Sequence, residues 1–93
     1  MNTHWSDIYP HDIWTNILVF RGKVIDYKIG GDKRDWESWT FAWDEDIVEN
    51  KEELHVIQFR EAVSNDEEHT EAFEKGLDMV DEVVTRYGKY EYV

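Results

Sequence analysis

The 93-residue sequence predicts an α+β fold: a small antiparallel β-sheet of three to four strands with one long C-terminal helix packed on one face. Three observations predict it. Apolar segments that run unbroken or alternate with a period of two fill the chain up to Phe59, with glycine or charged residues between them. A 3.6-residue periodicity then takes over, from Asp66 to Tyr87. The order is strands first and helix last, which favours an antiparallel sheet with a helix laid on it. No repeat, low-complexity stretch or linker divides the chain, so residues 1–93 read as a single acidic α+β domain.

The segment before Asn16 holds the only proline, Pro10. Pro10 disfavours the α region for Tyr9 and is tolerated in a first helical turn, so an irregular or briefly helical lead-in is expected. Asn16–Ile29 is expected to be strand. Ile17-Leu18-Val19-Phe20 is a continuous apolar run, and beyond Arg21-Gly22 the residues Ile25, Tyr27 and Ile29 alternate with Asp26 and Lys28. Gly22 marks either a hairpin turn or a bulge. Gly30-Gly31-Asp32-Lys33 is a turn. Trp36 to Trp43 is expected to be a further strand, with Trp39, Phe41 and Trp43 on one face, because aromatic and β-branched residues suit a pleated surface. After a charged connection, Leu54–Phe59 makes another strand. Ser64 with Glu67 has capping-box spacing, and Asn65 or Asp66 would cap equally well. Phe73, Leu77, Val80, Val84 and Tyr87 then form one apolar face of a helix over Asp66–Tyr87, and Gly88 stands where a helix stops. That face is expected to pack on Trp39, Phe41 and Trp43. Residues 89–93 are a short edge strand or a tail.

Composition narrows the functional classes. Hydrophobic residues make up 41% and aromatics 15%, too apolar for a disordered chain. There is no cysteine, hence no disulfide, thiolate metal site or cysteine nucleophile. The longest apolar run, Ile17–Phe20, falls far short of the roughly 20 residues of a membrane helix. The N-terminus lacks a basic stretch followed by an apolar one, so the chain is expected to be cytoplasmic. No glycine-rich phosphate loop opens a helix, and no serine lies in a nucleophile elbow. A non-enzymatic protein without a cofactor is expected.

Charge is the most informative quantity. The net is −12, but residues up to Arg34 sum to +1 and those from Asp35 onward to −13. A field of that sign repels nucleic acid and anionic membranes and attracts a basic protein surface. On the expected helix, first-turn acids complement the helix dipole, and Glu71–Lys75 and Glu82–Arg86 are expected i,i+4 pairs. Glu74, Asp78 and Asp81 have no such explanation. Glu67, Glu71, Glu74, Asp78 and Glu82 step by three or four residues, about 4.5–6 Å of axial rise, into one continuous acidic stripe. With Asp81, and with Asp44, Glu45, Asp46 and Glu49 extending it, this is the candidate partner-binding patch. Ordinary solubilising charge is the competing reading.

Two further groups carry lesser candidates. Trp5, Trp14 and Trp36 are possible aromatic anchors at an interface or pocket, since one helix covers only one face of a sheet. His4, Asp7 and His11 would line one face of a helix and meet a metal with His69, but Pro10 would break that helix, and solvated terminal histidines are the simpler reading.

No family signature is present. In size and charge the chain is similar to the small acidic inhibitors made by phages and mobile elements, some of which mimic DNA. It is similar also to bacterial immunity proteins and antitoxins that cap a basic nuclease. That likeness of class implies an inhibitor whose carboxylates take the place of phosphates on the basic site of a nucleic-acid-handling protein. The alternatives are a small-ligand or metal-binding module, and an assembly subunit, a dimer for instance, that uses an uncovered sheet face.

Overall fold

The computed structural model describes residues 10–39 and 44–91. Its strands are β1 (His11–Phe20), β2 (Lys23–Gly30) and β3 (Leu54–Val63), antiparallel and in the spatial order β2-β1-β3. Two α-helices complete it, α1 (Glu45–Glu49) and α2 (Asp66–Tyr87), with single 3-10 turns at Trp36–Ser38 and Lys51–Glu53. The predicted α+β arrangement is present, with three strands and the long helix packed on the sheet.

The apolar run at Ile17–Phe20 forms the centre of the sheet, where both faces are covered and every residue is buried. Its odd-numbered neighbours point to α2: Ile13 meets Ala72, and Ile17 and Val19 meet Val80. Leu18 and Phe20 point the other way, into a second cluster with Ile25, Trp39, Ile47 and Leu54. Arg21-Gly22 is a two-residue hairpin turn with φ of 50° and 76°, the positive pair that matches the twist of the flanking strands. A bulge lies nearby as well, between Leu18 and Val19 of β1, where β2 gains one residue.

Four expectations need correction. β1 begins at His11 in place of an irregular lead-in. A strand buried on both faces shows no polar alternation, and Ile13, Trp14 and Thr15 belong to it without advertising it. Trp36–Ser38 is a 3-10 turn, closed by Trp39 N–H on Trp36 O at 3.1 Å, so no strand runs from Trp36 to Trp39. Residues 40–43, with the expected roles of Phe41 and Trp43, lie outside the described residues. Trp39 is buried on the face away from α2, so it does not underlie the helix. Finally, the buried line of α2 runs through Ala72, Gly76 and Val80, while Leu77 is 48% exposed. The reading from large apolar side chains passed over the small residues that let the helix approach the sheet.

The N-cap of α2 is Asn65, whose Oδ1 accepts from Glu68 N–H at 2.9 Å, and Glu68 in turn accepts from Ser64 N–H at 2.8 Å. The helix ends at Gly88, whose φ of 89° suits glycine. The tail then meets β2 in a single bridge, with Gly88 O accepting from Val24 N–H and Val24 O from Tyr90 N–H. The described parts of the connection from β2 to β3 pack on the face opposite α2, where Asn16 holds residues 32–34. This buried amide donates to Lys28 O and Asp32 O and accepts from Arg34 N–H and Gln58 Nε2. The sheet face that the alternative of an assembly subunit would use carries the chain's own Trp39 and Ile47. Among the described residues no helix is long and apolar enough to cross a membrane.

Candidate functional site: the acidic face of the long helix

With Ala72, Gly76 and Val80 against the sheet, the helical repeat carries Glu67, Glu71, Glu74, Asp78, Asp81 and Glu82 to the side of α2 turned away from it. All six are exposed. Glu82 meets Arg86 at 3.4 Å, as its spacing predicts. Lys75 does not pair with Glu71; it turns to β3 and meets Glu61 at 3.0 Å. A cross-element partner anchored on a strand holds the ammonium in place of the neighbour on the same helix. Among the described residues, Glu67, Glu71, Glu74, Asp78 and Asp81 thus have no ion-pair partner.

The bases of the N-terminal segment, Arg21, Lys23, Lys28, Lys33 and Arg34, are engaged elsewhere. Arg21 binds Asp46 and Glu53, each at 2.8 Å, and the hydrogen bond it donates to Glu53, aided by the charge of Asp46, holds the guanidinium more firmly protonated than usual. Lys23 Nζ donates to Tyr87 O at the negative end of α2, at 2.8 Å. Arg34 lies 3.5 Å from Asp32. Lys28 sits over the Trp39 ring and Lys33 over the Trp14 ring, with centroid distances of 5.3 and 5.5 Å.

The acids at the start of the α1 region do not continue the stripe. Ile47 packs on the face opposite α2, which puts Asp44, Glu45, Asp46 and Glu49 on the other layer of the molecule. Asp44 also has structural work: its Oδ1 caps α1 by accepting from Ile47 N–H, and its Oδ2 accepts from Tyr90 O–H at 2.7 Å. That hydrogen bond, with desolvation and the nearby negative charges, pushes the Tyr90 phenol up to about 12. Glu45 and Glu49 are exposed beside the ion-paired Asp46.

The lesser candidates fare differently. Trp5, His4 and Asp7 lie outside the described residues. Trp14 is half-buried under Lys33, and Trp36 packs on the cluster around Trp39. His11 and His69 do meet, with ring centroids 5.8 Å apart, and Phe73 lies 4.9 Å beyond His69. No group of three or more metal-capable side chains forms among the described residues. His55 is exposed on β3.

Sequence reading missed one feature of this face. Along the β2 flank of α2, Tyr27, Leu77, Val80 and Val84 line a groove of about 370 Å³ rimmed by Asp78 and Asp81. Its only sequence signal is that Leu77 lies in the helix's apolar stripe next to Asp78, and nothing local shows that Tyr27 faces them. Comparison of the chain with family models, curated proteins and solved structures returned no match.

Proposed function

We propose that this domain is a non-enzymatic binding protein whose acidic helix face occupies a basic protein surface, of the kind that nucleic-acid-handling proteins present to phosphates, and so inhibits it. One observation carries the reading: five exposed carboxylates on one side of α2 have no ion-pair partner among the described residues, although Arg21 and Lys75 are placed on other acids, Lys23 on a carbonyl, and Lys28 and Lys33 on aromatic rings. Leaving like charges aligned on one helix costs a few tenths of a kcal/mol per i,i+4 pair. A complementary surface would relieve that repulsion and speed association by steering. Carboxylates on a rigid rod stand in for phosphates opposite Lys and Arg. The acids of α1, on the other layer, are outside this surface.

The test is capture of nucleic-acid-binding proteins from a lysate in physiological salt, using wild type and the triple variant Glu67→Gln, Glu71→Gln, Glu74→Gln. The expected result is a set of basic proteins that duplex DNA displaces and that the triple variant fails to retain while remaining folded by circular dichroism. Equal capture by both proteins, or capture indifferent to DNA, overturns the proposal.

A further inference from the structure

The groove beside the stripe has a chemistry that charge alone does not require. Its floor is apolar: Val80 is buried, and Val84 is half-buried in the same cluster. Its two large side chains, Tyr27 from β2 and Leu77 from α2, remain 42% and 48% exposed. Asp78 and Asp81 stand at the rim, no Lys or Arg lines the groove, and neither aspartate has an ion-pair partner among the described residues. The two lysines of β2 are placed elsewhere: Lys23 holds the end of α2, and Lys28 covers Trp39 on the opposite face. At about 370 Å³ the groove is at the low end of the range in which proteins seat ligand groups.

We propose that this groove seats an arginine side chain from an extended basic segment of the partner, an inference that rests on the reading of the helix face as a site for basic proteins. Charge complementarity selects a cation, because both rim charges are negative and no base lies among the lining residues. The apolar floor selects a cation with a long aliphatic stem. The phenol ring of Tyr27 selects a guanidinium over an ammonium: a planar cation stacks on an aromatic face and still offers a fork of N–H donors to Asp78 or Asp81. A second copy of this chain is a poor occupant, because it would bring another net −12 against the stripe. The stripe thus supplies attraction, and the groove supplies discrimination between arginine and lysine.

The probes are two synthetic peptides of flexible glycine–serine sequence, one with three arginines and one with three lysines at the same positions. Each is titrated in physiological salt into the isotope-labelled full chain and followed by backbone amide shifts. The expected result is tighter binding of the arginine peptide by about fivefold, the ratio that one cation–aromatic contact supplies. The largest shifts should fall at Tyr27, Leu77, Asp78 and Asp81. Tyr27→Ser, at an exposed strand position, should abolish the preference and leave lysine-peptide binding unchanged. If Tyr27→Ser disturbs the sheet, Leu77→Ser is the second variant, and it too should narrow the ratio. Equal affinity for the two peptides, or shifts spread evenly along α2, overturns the groove while leaving the acidic face to its own test. The Glu67, Glu71, Glu74 triple variant separates the two further: it should weaken both peptides alike and keep their ratio. Loss of the ratio in that variant would also overturn the assignment.

Discussion

At the residue scale the close approach of helix to sheet is set at Gly76. A methyl group there would collide with Thr15 Oγ1 and lie 3.0 Å from Ile29 Cδ1. Alanine normally gains up to about 1 kcal/mol over glycine inside a helix. Here overpacking against a buried threonine opposes it, typically by about 1–3 kcal/mol, so Gly76→Ala should destabilise the domain. Urea unfolding of the single variant and of the double variant with Thr15→Ala checks this; the second change should recover part of the loss. Tyr90 makes a prediction about pH. Its phenol is raised from the ordinary value of 10 to about 12, chiefly by the hydrogen bond to Asp44. The protonated form is favoured in the folded state, so this contribution is complete below pH 10 and is lost as pH rises from 10 through about 12. Absorbance titration of tyrosinate should show an ionisation near 12 that disappears in Tyr90→Phe and moves down in Asp44→Asn.

At the element scale, α2 shows how a correct helix can present an unexpected face. Its span, its polar N-cap and its glycine stop were all legible, since each depends on residues within a turn or two of one another. Its docking angle was not, because it depends on which residues are small enough to let Thr15 and Ile29 come close. Val80 is buried and Leu77 is half in water. Val80→Ala should therefore cost about 1.5–3 kcal/mol, and Leu77→Ala less than half as much, although leucine is the larger side chain. Thermal unfolding of the two variants side by side checks the order. Trp36–Trp39 failed as a strand for a related reason. Aromatic residues report that a surface will be packed, and Trp39 is packed, but against the second face of β1 from a tethered loop.

At the scale of the whole molecule, charge is divided between layers. The face bearing α1 pairs Asp46 and Glu53 with Arg21 and hydrogen-bonds Asp44 to the Tyr90 hydroxyl, while the outer side of α2 leaves most of its acids bare. Self-repulsion follows, and it is screened over about 8 Å at physiological ionic strength. Raising salt from a dilute buffer to that level should raise the unfolding midpoint. Replacing Glu71, Glu74 and Asp78 together by their amides should raise it in dilute buffer and flatten its salt dependence. A midpoint insensitive to salt in both proteins would mean that the stripe carries no appreciable strain.

The class of fold, the extent of α2 and the alignment of Glu67, Glu71, Glu74, Asp78 and Glu82 are legible in the amino-acid order, because helical periodicity and capping are local. What each element faces follows from long-range packing. The strands pair across the chain, His11 with Val63 and Phe20 with Leu54, and no local pattern encodes that register. The destination of each cation was settled the same way: Lys75 went to Glu61 of β3 instead of its helical neighbour, and Arg21 went to Asp46 and Glu53. The groove at Tyr27 and Leu77 exists only once β2 lies beside α2. Long-range packing brings such groups together after the local elements have formed, and its outcome depends on side-chain size and reach rather than on spacing in the chain.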